Sequence, residues 1–164
     1  ESYYDKPLTK TLFAQLNFDI ADNGDFYVSF EADSLMYRYD YDYNQLACFG
    51  FAGRDMDLNY LRWDSYDQPW KERLAERMSR GFYNAVEYVD ETGLLFRSYR
   101  KGGGSATDGL QVYRDGVLVG DVDVPLGIPD GRLCGSLLLF LCGARRGGER
   151  LYMFRFKWPS APEE

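Results

Sequence analysis

The stretch Asp25–Gly53, DFYVSFEADSLMYRYDYDYNQLACFGFAG, decides the fold. Phe26, Val28 and Phe30 alternate with Tyr27 and Ser29, the period of two that puts successive side chains on opposite faces of a strand. Glu31-Ala32-Asp33-Ser34 turns the chain, and Leu35 to Tyr41 returns antiparallel. Tyr41-Asp42-Tyr43-Asn44 turns it again, into Gln45 to Phe49. Upstream, Leu12, Ala14, Leu16, Phe18 and Ile20 show the same alternation and stop at Ala21-Asp22-Asn23-Gly24. Four short strands joined by tight polar turns make an antiparallel meander, the blade-like unit of residues 10–53.

Downstream the texture changes. Residues 54–81 predict a helical insertion, with Asp67 as cap, Pro69 in the first turn and Gly81 as terminator. Trp70, Leu74 and Met78 recur at i, i+4 and i+8, and are expected to dock the helix. Strands resume at Phe82 to Val89 and Leu94 to Tyr99, followed by a flexible loop at Lys101-Gly102-Gly103-Gly104-Ser105. Leu110 to Tyr113 and Val117 to Val124 flank the hairpin turn Asp115-Gly116, completing a second blade-like unit over 82–125. Pro125 to Gly131 reads as loop, and the final strands over 136–158 are the apolar run Leu137–Cys142 and Leu151–Trp158. Leu35-Met-Tyr-Arg-Tyr-Asp40 and Leu110-Gln-Val-Tyr-Arg-Asp115 begin with Leu and end in Asp at a turn, which suggests an internal repeat with the helix inserted between copies.

Composition removes several functions. There is no histidine, so Ser-His-Asp and Cys-His catalysis and nearly all zinc sites are excluded. A net charge of −7 argues against nucleic acid, which requires a basic face. The small basic clusters Arg97, Arg100, Lys101 and Arg145, Arg146 read as solvated turn charges. Cys48, Cys134 and Cys142 sit among apolar neighbours and are expected to be buried free thiols. The longest apolar run is far short of the ~20 residues of a transmembrane helix. No basic and apolar leader follows Glu1, so any targeting peptide is expected to have been removed or to lie outside these residues.

Candidate sites follow from aromatics and carboxylates. Asp40, Asp42 and Asn44 imitate the start of a calcium loop, but Gln45 and Phe51 stand where Gly and Glu are needed, so an Asx turn is expected and no metal. Gly102-Gly103-Gly104 lacks the spacing of a phosphate-binding loop, and no cofactor is expected. Tyr37, Tyr39, Tyr41 and Tyr43 fall at period two, as a sugar- or peptide-binding platform or as packing between sheets. Trp63, Tyr66 and Trp70 form a loop-borne aromatic cluster in the insertion. Trp63, Tyr66, Trp70, Tyr37 and Tyr39 are therefore the candidate ligand-binding residues, with no catalytic residue assigned.

The segments Asn17-Phe18-Asp19-Ile20, Phe82 to Tyr88, Leu94 to Tyr99, Val117 to Pro125 and Leu151 to Phe156 resemble successive strands of TolB-like six-bladed β-propeller proteins, largely uncharacterised exported lipoproteins of Gram-negative gut bacteria. The resemblance implies an all-β, propeller-like chain of about two and a half four-stranded blades with one helical insertion, as the C-terminal part of a larger ring. It implies a periplasmic or outer-membrane-anchored location and a non-enzymatic role in binding protein or carbohydrate. An uncovered blade face would then favour association with another chain or copy. Two alternatives stand beside it: a glycoside hydrolase or other hydrolase using an Asp/Glu pair, and a small-ligand carrier with a lipocalin-like up-and-down barrel.

Overall fold

A computed structural model describes residues 15–60 and 69–125, together with the strand backbones Asp130–Cys134, Leu137–Cys142 and Arg150–Arg155. The chain is mostly β. Strands β1 (Leu16–Ile20), β2 (Phe26–Phe30), β3 (Met36–Tyr39) and β4 (Gln45–Phe49) form one antiparallel sheet in that order. After helix α1 (Trp70–Arg80), strands β5 (Gly81–Val89), β6 (Leu94–Lys101), β7 (Thr107–Arg114) and β8 (Val117–Pro125) repeat the topology. Strands β9 (Asp130–Cys134), β10 (Leu137–Cys142) and β11 (Arg150–Arg155) make a third meander. β9 begins at Asp130, inside the expected loop Pro125 to Gly131, and runs on through residues to which no element was assigned. Its sequence, DGRLC, offers only two adjacent apolar residues and no alternation to read.

The turns explain the topology. Asp115 and Gly116 take φ of 50° and 77°, both positive, as a two-residue hairpin matched to strand twist demands. Asp40 Oδ1 accepts bonds from the Asp42 and Asn44 amides at 3.0 and 2.8 Å, so this segment is the expected Asx turn. The bond from the Asn44 side-chain amide then holds the Asp40 carboxyl below its ordinary range. The described strands form three separate open sheets, with linear strand orders, which does not fit the single closed barrel of the lipocalin-like alternative.

Helix α1 starts from Pro69, whose carbonyl accepts the Glu72 and Arg73 amides, and ends at Gly81, where φ is 85°. It does not dock through the expected apolar stripe. Trp70 is 63% exposed and Leu74 41%, whereas Glu76 is buried. Arg77 bonds both carboxylate oxygens of Glu31, and its guanidinium lies 3.9 Å from the centre of the Phe82 ring. Glu31 is 1% exposed, so the protein must supply its counter-charge, and the helix turns its arginine face inward to do so. Asp67 lies outside the described residues.

Among the described residues, a core cluster fills the seam between the first two sheets. Met36, Tyr27 and Ala21 from the first meet Val86, Leu95 and Tyr113 from the second, with Phe49, Tyr88 and Leu118 packed around them.

Candidate functional site

The seam is bonded as well as packed. Arg97, read as a solvated turn charge, is 0% exposed on β6. Its Nε donates to Ser29 Oγ at 2.8 Å, Nη1 to the Ser34 carbonyl at 2.7 Å, and Nη2 to the carbonyls of Asp33 and Phe30. The guanidinium carbon sits 3.2 Å from the centre of the Tyr83 ring. Burial pushes the Arg97 pKa down, and the turn carbonyls together with the Tyr83 face compensate for lost water. Arg100 and Lys101, read the same way, also lie on β6, Arg100 half-buried and Lys101 its buried last residue rather than part of a flexible loop. The Lys101 Nζ bonds Asp123 at 2.8 Å and Asp55 at 3.1 Å, because β8 and the 50–57 linker bring carboxylates to it.

Tyrosine hydroxyls of the second sheet hold that linker. The Phe51, Gly53 and Arg54 amides donate to the hydroxyls of Tyr113, Tyr83 and Tyr99 at 3.2, 3.0 and 3.0 Å. In return Tyr83 donates to the Phe51 carbonyl, Tyr99 to Asp121 and Tyr113 to Gln111. Each hydroxyl is thus both donor and acceptor, which is why large polar rings are tolerated at 0% exposure. A methyl group at Gly109 would fall 1.9 Å from Tyr99 Cζ, so the glycine is what leaves room for the ring. Arg54 adds a rim contact to Asp123 at 2.7 Å.

At the other end the seam opens into a cleft of about 170 Å³. Tyr27 and Tyr88, stacked 4.6 Å apart, form one side, and Phe49, Leu95 and Tyr113 form the floor. Arg38 and Asp115 supply its charged groups. Arg38 bonds Asp25 through Nε at 2.9 Å and lies 5.7 Å from the Tyr27 ring centre; the bond to Asp25 raises its pKa. Burial pushes the Tyr27 and Tyr113 hydroxyls up to about 12. The Tyr88 amide donates to Asp19 at 2.7 Å and the Asp22 amide to Asp90 at 3.0 Å, pinning the sheets together at the mouth. The arrangement lines a space the size of a single ring with largely buried aromatic side chains, one cation and one carboxylate. That is smaller than the roughly 300–1,000 Å³ sites that engulf whole ligands.

The residues singled out in the sequence do not assemble there. Tyr37 and Tyr39 are half-buried on the opposite face of the first sheet, Tyr37 edge-on to Phe30 and bonded to Asp33, Tyr39 stacked on Phe26. Tyr41 and Tyr43 are exposed in the following turn, and Trp70 stands on the helix with Arg73 over its ring. Trp63 and Tyr66 lie outside the described residues, as do Arg145, Arg146 and the side chains of Cys134 and Cys142. Cys48, expected buried, is exposed, because it lies on the outer face in register with Tyr37. The cleft residues Tyr27, Arg38 and Tyr88 were not anticipated. Their one signal was position: Tyr27 and Arg38 occupy the alternate face to the conspicuous Phe and Tyr rows.

No family model matches the chain, and no curated protein matches it in sequence. Among solved structures, it is similar to a member of the DUF4221 family from Bacteroides vulgatus ATCC 8482, with a TM-score of 0.60 and 9% identity. The match covers 87% of this chain and 46% of that one, so this chain spans about half the length of its neighbour. The likeness is one of fold.

Proposed function

We propose that this chain is a non-enzymatic, propeller-like binding module, exported to the periplasm or cell surface, that takes a single ring of a carbohydrate or a protein side chain in the inter-sheet cleft. The observation that carries the reading is the composition of that cleft. Stacked tyrosines beside a guanidinium and a carboxylate suit a neutral polyhydroxylated ring, which packs an apolar face on aromatics and bonds charged groups at its edge. The hydrolase alternative needs two carboxylates facing one cleft. Among the described lining residues Asp115 is the single one, and Asp55, Asp121 and Asp123 are engaged by Lys101, Tyr99 and Arg54 at the other end.

The propeller-like reading is supported by how the sheets meet. β1 and β2 lie beside β5, and β5 beside β9, so the first strands of successive meanders neighbour one another as radiating blades require. Export and kinship with TolB-like lipoproteins rest on the resemblance of the strand sequences. A glycan array followed by calorimetry tests the reading. A sugar hit is expected to weaken at least about tenfold in Arg38→Ala and in Tyr88→Ala, each truncating one cleft contact. Sugar and peptide arrays without a hit, or glycosidase turnover by the wild type, would sink it.

A further inference from the structure

The tight turn between β1 and β2 holds a chemically labile pair of residues. Of Asn17, Asn23, Asn44, Asn59 and Asn84, Asn23 alone precedes glycine; the others precede Phe18, Gln45, Tyr60 and Ala85. Asparagine is lost when the next backbone nitrogen reaches its side-chain carbon, and a Cβ on that next residue obstructs the approach. The turn itself requires the glycine, because Gly24 takes φ of 87°. Asn23 is exposed, so water and hydroxide reach it.

Each reacting group is nevertheless restrained. The Gly24 amide donates to the Ala21 carbonyl at 2.9 Å. Asn23 Oδ1 accepts the Asp25 amide at 3.0 Å, and Nδ2 donates to Asp25 Oδ2 at 3.1 Å. Asp25 is fixed in turn. It is 8% exposed, its carboxylate accepts from Arg38 Nε at 2.9 Å, and its carbonyl accepts the Ala21 amide at 2.8 Å.

We propose that Asn23 is a site of spontaneous deamidation and that Asp25 is the latch that keeps the reaction slow in the folded chain. Hydroxide takes the Gly24 amide proton, and the nitrogen attacks Asn23 Cγ. The bond from Cγ to Nδ2 breaks, and Nδ2 leaves as ammonia with a proton from water, which regenerates hydroxide. Water then opens the cyclic imide at either carbonyl, giving aspartate or isoaspartate at position 23. Aspartate replaces the donor to Asp25 with a second anionic oxygen. Isoaspartate lengthens the main chain inside a turn closed by the Ala21–Gly24 and Ala21–Asp25 bonds. Either product disturbs the partner of Arg38, and the chemistry is independent of what the cleft binds.

Peptide-resolved mass spectrometry of the chain aged in mild alkali, folded and in denaturing urea, tests it. In urea Asn23 is expected to convert several-fold faster than Asn44, which Gln45 shields. Folding is expected to slow Asn23 at least about tenfold, through the cost of opening the turn locally. Asp25→Ala removes the acceptor of Nδ2 and is expected to speed the reaction in the folded chain at least about threefold, with circular dichroism unchanged. Asp25→Asn keeps the shape without the charge, is expected to shift the rate the same way by less, and decides the matter if the alanine variant unfolds. Asn23 and Asn44 converting alike in urea overturns the site. Equal Asn23 rates in the folded and unfolded wild type, or folded variants no faster than wild type, overturn the latch.

Discussion

The first and second sheets share topology, strand order and turn chemistry, yet they differ in what their faces meet. β6 and β7 are buried along nearly their whole length, while β1 and β4 are largely exposed. The second sheet sits between neighbours and therefore holds its polar groups dry: Arg97, Gln111 and Asp108 are each at most 1% exposed. The first has one such face and one open face. The lesson is that local sequence made two similar meanders, and neighbours gave them different physical roles, one as keystone and one as edge.

The largest effect expected of any single change follows from the keystone. Arg97→Ala removes a side chain that satisfies Ser29 and three turn carbonyls, leaving a cavity and orphaned acceptors in the seam. The loss should be roughly 3–5 kcal/mol in urea-unfolding free energy. A change below about 1 kcal/mol would mean the sheets are not tied at this residue, and the contrast would collapse.

Gly109→Ala comes next. A Cβ at 1.9 Å from the Tyr99 ring forces that ring to move, breaking its bonds to the Arg54 amide and Asp121. Overpacking of this kind costs about 1–3 kcal/mol, and the 50–57 linker should gain amide exchange alongside. Unchanged exchange at Arg54 would show that the tyrosine hydroxyls do not hold the linker.

Alkali tests burial without mutation on both faces, since Tyr37 on the outer face is raised to about 12 as well, burial being the largest cause. Tyr27 and Tyr113 are raised from an ordinary 10.0 to about 12, burial being the largest cause in both. Between these values the folded state keeps protons that the unfolded chain has released, so stability is complete below pH 10 and falls as pH rises towards 12. The urea midpoint should therefore begin to fall near pH 10, while the tyrosinate absorbance of these two groups in the folded chain appears only near pH 12. Release of all tyrosines at one ordinary pKa, with the fold intact, would contradict the dry seam.

How much of this was legible in the sequence depends on the range of the cause. The Asp115-Gly116 hairpin and the Asp40 turn could be read because their determinants lie within four residues. Helix α1 could be placed by Gly81, but not its docking face, since the group that recruits Arg77 is Glu31, 46 residues away. Arg97 looked like one charge in an Arg-Ser-Tyr-Arg-Lys run, and its partners lie 63 to 68 residues upstream. The cleft was missed for the same reason: the aromatic rows that attracted notice were on the outer face, and Tyr27 takes its role from Tyr88 on another sheet.

The smallest expected effect gives the most direct test of keystone against edge, because it removes the same single oxygen from each. Tyr113→Phe deletes a fully buried hydroxyl that accepts from the part-buried Phe51 amide and donates to Gln111, so the buried Gln111 oxygen loses a partner. Tyr37→Phe deletes a hydroxyl whose bond to Asp33 is at a half-buried position, where water replaces it. Buried groups left unsatisfied cost about 1–3 kcal/mol, while a bond exchangeable with water is worth about 0.5–1.5 at most. The first variant should therefore lose at least about 1 kcal/mol and the second a few tenths. Equal losses in urea-unfolding free energy, at a concentration where the chain is monomeric, would mean that the open face is as dry as the seam and that something already covers it.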